Sequence, residues 1–298
     1  MIQHTAISES VSLAPYTTYK VGGAARWFAE PEDLEELRSV LASLPADIPI
    51  FVLGRGSNVV ISDSGFNGLI LKLGRSFAAI DVRDDGTVVA GGAAALPMLA
   101  RAAASAGRAG LSFYVGIPGS VGGAVQMNAG GHGSDTAAVL ESVVVVDTGS
   151  GDINRRPADS LGLGYRSSNL SPSDIVAQAT FTTTDGNPDE LEDQLRGITR
   201  WRKEHQPGGT LNAGSVFKNP SVGHAGKIID DLGLKGYAVG PVSVSTVHAN
   251  FMVADRDAKA IDIFRFVHNI QACVREKTGT TLEPEIKFIG DFDEDDGT

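Results

Sequence analysis

The sequence predicts an α+β fold laid out in three successive regions, and three observations carry that prediction. The first ~70 residues read as a small β-α-β unit. A β-rich middle follows, with short apolar runs of the kind that pair antiparallel. A long charged helical stretch near 188–204 then leads into a region with its own helices and strands. At 298 residues the chain has room for about two domains.

The elements follow in order. Residues 31–44 read as a helix: Pro31 suits its first turn, and Glu32, Asp33, Glu35 and Glu36 favour its positive end. Leu34, Leu37, Val40, Leu41 and Leu44 form its apolar stripe. Ile50 to Leu53 read as a buried strand, followed by the loop 54–58, and 69–72 as another strand. Strands are expected at 79–82 and 87–90, and a helix over 96–106 ends at Gly107. After a glycine-rich segment, 110–133, come strand runs at 143–147 and 175–183. The helix 188–204 has Glu190, Glu192 and Asp193 near its start and Arg200, Arg202 and Lys203 near its end, as the helix dipole prefers. The third region holds a loop at 207–220, a short helix near 226–232, a strand at 249–253, a helix near 257–277 and a final run, 282–289. The acidic tail 291–298 is expected to be disordered.

Composition excludes several classes. The net charge of −11 argues against broad nucleic-acid or anionic-membrane binding. It leaves room for an anionic small ligand held by a few cations and backbone N–H groups. The first ten residues lack the pattern of a signal peptide, and no stretch reaches the roughly 18 apolar residues of a membrane span. With the single cysteine, Cys273, this points to a cytoplasmic protein without a disulfide framework. The six histidines have no metal-ligand spacing, so no metal is assigned. The 36 glycines are not periodic; they gather at 54–56, 91–92, 116–133 and 208–214, as where backbone lies against a ligand or turns at positive φ.

Five motifs are candidates for chemistry. Gly54-Arg55-Gly56-Ser57-Asn58 follows a strand and reads as an anion nest or a tight turn. It is neither the dinucleotide fingerprint nor a P-loop. Gly116-Ile117-Pro118-Gly119-Ser120-Val121-Gly122-Gly123-Ala124, continued by Met127-Asn128-Ala129-Gly130, leaves no bulky side chain between backbone and a flat ring or pyrophosphate; structural turns are the alternative. Gly214-Ser215-Val216-Phe217-Lys218-Asn219-Pro220 presents a serine without the elbow or His/Asp partners of an acyl-transfer nucleophile. Its hydroxyl is either a turn or cap group or a proton donor to a strongly basic intermediate. Arg166, in Tyr165-Arg166-Ser167, is a bidentate partner for a carboxylate or phosphate, or a surface arginine. In Leu282-Glu283-Pro284-Glu285-Ile286, alternation puts Glu283 and Glu285 on one strand face, active or simply solvated.

Taken in order, these motifs resemble the UDP-N-acetylenolpyruvoylglucosamine reductase (MurB) family. The match also includes Thr17-Thr18-Tyr19-Lys20-Val21-Gly22-Gly23-Ala24, Asp63 with Gly65-Phe66, and Arg202 with Gln206-Pro207. Gly233-Leu234-Lys235-Gly236 and His248-Ala249-Asn250-Phe251 complete it, so that it covers almost the whole chain. The length and the Gln206-Pro207 loop resemble the shorter, second type of the family. The resemblance implies a two-part FAD-binding domain (PCMH-like, MurB type) followed by a smaller α+β substrate-binding domain. The corresponding boundaries are 1–72 and 73–187 for the two FAD-binding parts, 188–290 for the substrate domain and 291–298 for the tail.

It further implies UDP-N-acetylmuramate dehydrogenase activity: NADPH reduces a noncovalent FAD, which then reduces the enolpyruvyl ether of the UDP-sugar in peptidoglycan precursor synthesis. Gly54, Arg55, Gly56, Ser57 and Asn58, with Gly116, Ile117, Gly119, Ser120, Gly122, Gly123 and Ala124, would surround the flavin. Ser215, Arg166 and Glu285 match the catalytic trio: Ser215 the proton donor, Arg166 the carboxylate partner, Glu285 the group that positions the enol, in a protonated state. Asn219, Lys218 and Gln206 fall at substrate-binding positions, and a monomer is expected. His132 stands where the family commonly has an aromatic, which raises covalent flavin attachment as the less favoured arrangement. Two rivals stay open: an FAD oxidase of sugars or alcohols, and a nucleotide-binding paralogue without activity.

Overall fold

The computed structural model describes residues 4–45 and 47–292. The chain forms two compact units, each assembled from separated stretches of sequence. One comprises Trp27–Arg55 and Gly68–Arg202 with the residues through Glu9; the other comprises Ser10–Arg26, Gly56–Asn67 and the chain from Lys203 onward. Among the described residues no helix is long and apolar enough to cross a membrane. Residues 293–298 of the expected acidic tail lie outside the described residues.

The first unit is organised by a five-stranded sheet in the spatial order Ile153–Pro157, Leu140–Asp147, Asp174–Thr182, Thr87–Gly91, Ile80–Val82. Every neighbouring pair is antiparallel, as the sequence predicts for this region. Side chains alternate between its two faces. Val143, Val145, Ala179, Phe181 and Val88 join a core with helix α2 (Leu96–Ser105), which contributes Leu96, Leu99, Ala100 and Ala103. Val146, Ile175 and Ala177 face a second core built on Leu37, Val40 and Leu41 of helix α1 (Leu34–Ala42). Helix α1 starts later than the sequence suggests, because the Asp33 carboxylate caps it by accepting the Glu36 N–H at 2.9 Å. Ala24–Ala29, α1 and Ile50–Val52 follow one another in the expected β-α-β order, and Phe66–Leu71 lies between the two strands, parallel to Ile50–Val52. Helix α3 (Val121–Gln126) lies inside the glycine-rich segment, and helix α4 (Pro188–His205) follows the sheet.

The second unit packs helix α5 (Ala225–Asp231), helix α6 (Ala260–Thr278) and a three-stranded sheet, Ala238–Val239, Val242–Val244 and Met252–Ala254, around one core. Ile263, Phe266, Val267, Ile270 and Val274 form the buried stripe of α6, and Gly279 ends that helix at φ 71°. The early chain contributes Tyr19, Val21 and Val60 to this core. Tyr19 is fully buried, donates its hydroxyl to the Met252 carbonyl at 2.9 Å, and is held far above the usual phenol range by that burial. The strand expected at 249–253 begins only at Met252. Residues 248–251 turn instead, with the Phe251 N–H on the His248 carbonyl, because Asn250 is engaged elsewhere. The final strand, Lys287–Ile289, pairs in parallel with Val59–Ile61.

One long-range contact ties early chain to late chain within this unit. Both carboxylate oxygens of Asp63 accept first-turn N–H groups of α6, Ala260 at 3.0 Å and Ile261 at 2.9 Å. They satisfy two of the donors a helix leaves open at its start. Asp63→Ala should destabilise the second unit by about 1–2 kcal/mol in urea unfolding, with Asp63→Asn recovering part of the loss.

Candidate active site

The two glycine-rich loops predicted for the cofactor come together in the first unit. Gly54 lies so close to Ser120 that a Cβ on it would stand 2.5 Å from the Ser120 Oγ. Ser120 is buried and caps α3, accepting the Gly123 N–H at 3.4 Å. Neighbours account for several of the glycines: a Cβ at Gly116 would meet the His132 ring and Ile198 at 3.0 Å, and one at Gly122 the Gly92 carbonyl at 3.2 Å. Among the described residues, a Cβ at Gly123 would meet the Ser120 Oγ at 3.5 Å and nothing else beyond its own helix backbone, so that side of the helix start has room for one. Gly54, Ser120 and Gly123 thus bring small residues together at the start of α3. Gly56 to Asn58 belong to the second unit. There Gly56, at φ 64°, lies where a Cβ would collide with the Tyr16 carbonyl, so close backbone packing accounts for that glycine.

Arg166 is lashed to the glycine-rich segment. It sits at the tip of a tight turn closed by reciprocal backbone bonds between Gly164 and Ser167, at 3.1 and 3.2 Å, and takes φ 52°. Its Nη2 donates to the Gly130 carbonyl at 3.0 Å, and its guanidinium lies 5.3 Å from the centre of the Tyr165 ring. Buried Asn128 holds the same turn, its Nδ2 donating to the Gly164 carbonyl at 2.9 Å while its Oδ1 accepts the Ala137 N–H at 2.8 Å. Asn128, at φ 39°, occupies backbone space disfavoured for side-chain-bearing residues.

Ser215 and Glu285 are brought together by the second unit. The segment 215–218 runs beside 283–286: the Glu285 N–H donates to the Val216 carbonyl at 2.7 Å and the Lys218 N–H to the Glu283 carbonyl at 2.8 Å. Phe217 and Pro284 form an antiparallel bridge between them. Glu283 and Glu285 are therefore on an extended segment beside the serine rather than in a regular strand, and the strand proper begins at Lys287. Asn58, expected at the flavin, donates its Nδ2 to the Glu285 carbonyl at 3.1 Å. Lys218 pairs with Glu283 at 2.6 Å. Asn219 accepts the Ala225 N–H at 3.0 Å, at the start of α5, and Gln206 lies just beyond α4.

Asn219 also borders a cavity of about 480 Å³ in this unit, lined by Lys227, Lys235, His248 and Asn250 among others. Lys235 is paired with Asp230 at 2.7 Å and Lys227 with Asp231 at 2.8 Å, so the wall mixes both charges. The sequence offered no role for His248, Asn250 or Lys235; a single polar residue, Asn250, inside the otherwise apolar run 249–253 was the available signal. Among the described residues no cluster of histidine, cysteine and acidic side chains could hold a metal ion.

Residues 25–155 match the FAD binding domain family, which with the relatives below makes the chain a flavin-dependent oxidoreductase. Residues 206–289 match the family described as UDP-N-acetylenolpyruvoylglucosamine reductase, C-terminal domain. The chain belongs to the UDP-N-acetylenolpyruvoylglucosamine reductase family. It is 40% identical to the reductase of that name from Synechocystis over 97% of this chain and 92% of the relative, and 39% identical to the one from Azorhizobium caulinodans over 95% and 92%. The crystal structure of the Thermus caldophilus reductase superposes with a TM-score of 0.83 at 36% identity, covering 95% of this chain and 98% of that one.

Two histidines near these elements titrate low. His132 meets the Trp201 ring edge-on at 5.1 Å; burial, then the Arg202 charge, pushes it below the ordinary histidine value of 6.5. His248 is lowered by burial, then by the Lys235 charge. Below the ordinary value the unfolded chain therefore binds more protons than the folded one. The stability these sites confer is complete above that value and is lost as pH falls below it. Urea midpoints should drop between pH 7 and pH 5, and His132→Phe should flatten part of that slope.

Proposed function

We propose that this enzyme reduces the enolpyruvyl ether of UDP-N-acetylglucosamine to UDP-N-acetylmuramate, with NADPH as the electron source, in the cytoplasm. The observation that carries the reading is the direct backbone pairing of the Ser215 and Glu285 segments in one unit, beside a cavity bordered by Asn219. Family membership supports the substrate class. FAD, when bound, would supply two-electron hydride chemistry linking the nicotinamide to the terminal vinyl carbon of the substrate. Gly54, Arg55, Ser120, Gly122, Gly123 and Ala124 would hold it without covalent attachment, with Gly56, Ser57 and Asn58 as further candidates from the second unit.

Negative charge then builds on the adjacent carbon and its carboxylate. Arg166 pairs with that carboxylate, a contact that strengthens as charge accumulates and so lowers the barrier rather than only tightening binding. Glu285 positions and polarises the enol. Ser215 gives its hydroxyl proton to the carbanionic carbon and regains one from solvent, so the substrate gains one hydride and one proton while NADPH becomes NADP⁺. A serine hydroxyl is a weak acid in water, and only a strongly basic intermediate makes it a competent donor. Lys218, Asn219 and Gln206 would contact the substrate. We also infer family domain borders near 72, 187 and 290, with Ser10–Arg26 and Gly56–Asn67 of the early chain packed into the later unit. We take the working form to be a monomer.

Stopped-flow spectroscopy separates the two halves of this reaction. Ser215→Ala should bleach the flavin with NADPH at the wild-type rate, yet reoxidise it with the enolpyruvyl UDP-sugar about 10²–10⁴-fold more slowly. Equal slowing of both halves would sink the assignment. Rapid reoxidation by oxygen with a sugar substrate, and a yellow acid precipitate, would favour the oxidase instead.

A further inference from the structure

Asn250 spends its whole side chain on two backbone groups. Its Oδ1 accepts the Phe217 N–H at 3.0 Å, and its Nδ2 donates to the Phe217 carbonyl at 2.8 Å. Its own carbonyl accepts the Val216 N–H at 2.8 Å. The residue is 4% exposed, so water does not substitute for these bonds. The amide does what a neighbouring strand would do, because a primary amide carries the same donor and acceptor as a peptide unit. On the opposite side, Val216 and Lys218 are paired to the 283–286 segment. The chain that follows Ser215 is therefore fixed from both sides, one of them a single side chain. Gly214, at φ 76°, precedes the serine and allows the chain to arrive in the required direction.

We propose that Asn250 is a positioning residue for the proton transfer: it sets the register of Val216 and Phe217 and through them the place of the Ser215 hydroxyl. This rests on the reading of Ser215 as proton donor. Proton transfer to carbon is steep in distance and angle, so a small drift of the donor costs rate before it costs binding. A residue that only held the core together would lower stability and leave the rate of the folded enzyme alone.

Asn250→Asp is the discriminating variant. The new carboxyl can accept the Phe217 N–H in either ionisation state, but it donates to the Phe217 carbonyl only when protonated. The titratable groups around it are His248, whose Nδ1 accepts the Asn250 N–H at 3.2 Å, the cavity groups His224, Lys227, Asp230, Asp231 and Lys235, and, across the 215–218 segment, Glu285 and the Lys218–Glu283 pair. They are common to wild type and variant, so the ratio of the two rates removes their own titration.

The holoenzyme is followed by stopped-flow, with flavin reduction by NADPH and reoxidation by the enolpyruvyl UDP-sugar recorded separately from pH 8 to pH 5.5, and with thermal melting as a control. At pH 8, Asn250→Asp is expected to slow reoxidation at least tenfold, leave reduction unchanged and leave the substrate concentration for half-maximal rate within about threefold. The deficit should shrink towards pH 5.5. In a Ser215→Ala background the same change should add no further slowing, because the group it positions is gone. Wild-type reoxidation by Asn250→Asp, equal slowing of both halves, or full additivity with Ser215→Ala would each overturn the proposal. If Ser215→Ala alone reoxidises normally, the serine reading fails and the clamp falls with it; if Ser215→Ala is slow and Asn250→Asp is not, the clamp fails alone. Asn250→Ser, read by the reoxidation-to-reduction ratio and by additivity, replaces the aspartate variant if that variant does not fold.

Discussion

The site depends on satisfying the backbone of one short segment, residues 215–218, that belongs to no sheet. A loop carrying an active hydroxyl has to be immobile, yet a buried loop leaves peptide groups without partners. Here the missing partners come from 283–286 on one side and from Asn250 on the other. Asn58 then steadies Glu285 by bonding its carbonyl, so the acid and the serine share one small hydrogen-bonded frame. Local pairing, rather than the reach of long side chains, sets the spacing of the two groups in this unit.

The same economy appears at Arg166 in the first unit. A residue at positive φ on a tight turn would be loose if left alone. Asn128 and the Gly130 carbonyl hold it instead, so the arginine moves only if the glycine-rich segment moves. The unfavourable backbone geometry at Asn128 and Arg166 is tolerated because the surrounding bonds leave no alternative conformation.

Much of this was legible in the sequence. The order of elements, the antiparallel middle sheet and the apolar stripe of α1 follow from periodicity, because each element buries one face. Boundaries were less legible, since they depend on side chains that cap: Asp33 moved the start of α1, and Asn250 replaced the first half of an expected strand. The glycine-rich stretches stood out, but not the reason for each glycine. Gly56 answers to the Tyr16 carbonyl and Gly116 to the His132 ring, while Gly123 keeps one side open. Nothing in composition tells those apart, because each reason lies in a neighbour far along the chain. Asn250 was missed for the same reason: an asparagine in an apolar run announces itself as odd without naming its partner.

The way the chain is shared between units has a consequence for biosynthesis. The second unit takes Ser10–Arg26 and Gly56–Asn67 from the early chain, yet its helix α6 and the strand Lys287–Ile289 are made last. During translation those early pieces leave the ribosome long before the elements they pair with exist. The stretches of the first unit are all synthesised by Arg202. Val60, Val21 and the cap acceptor Asp63 must wait, with apolar surface uncovered, for almost the whole length of synthesis. The half that carries the serine is therefore the one whose pieces are synthesised furthest apart in time.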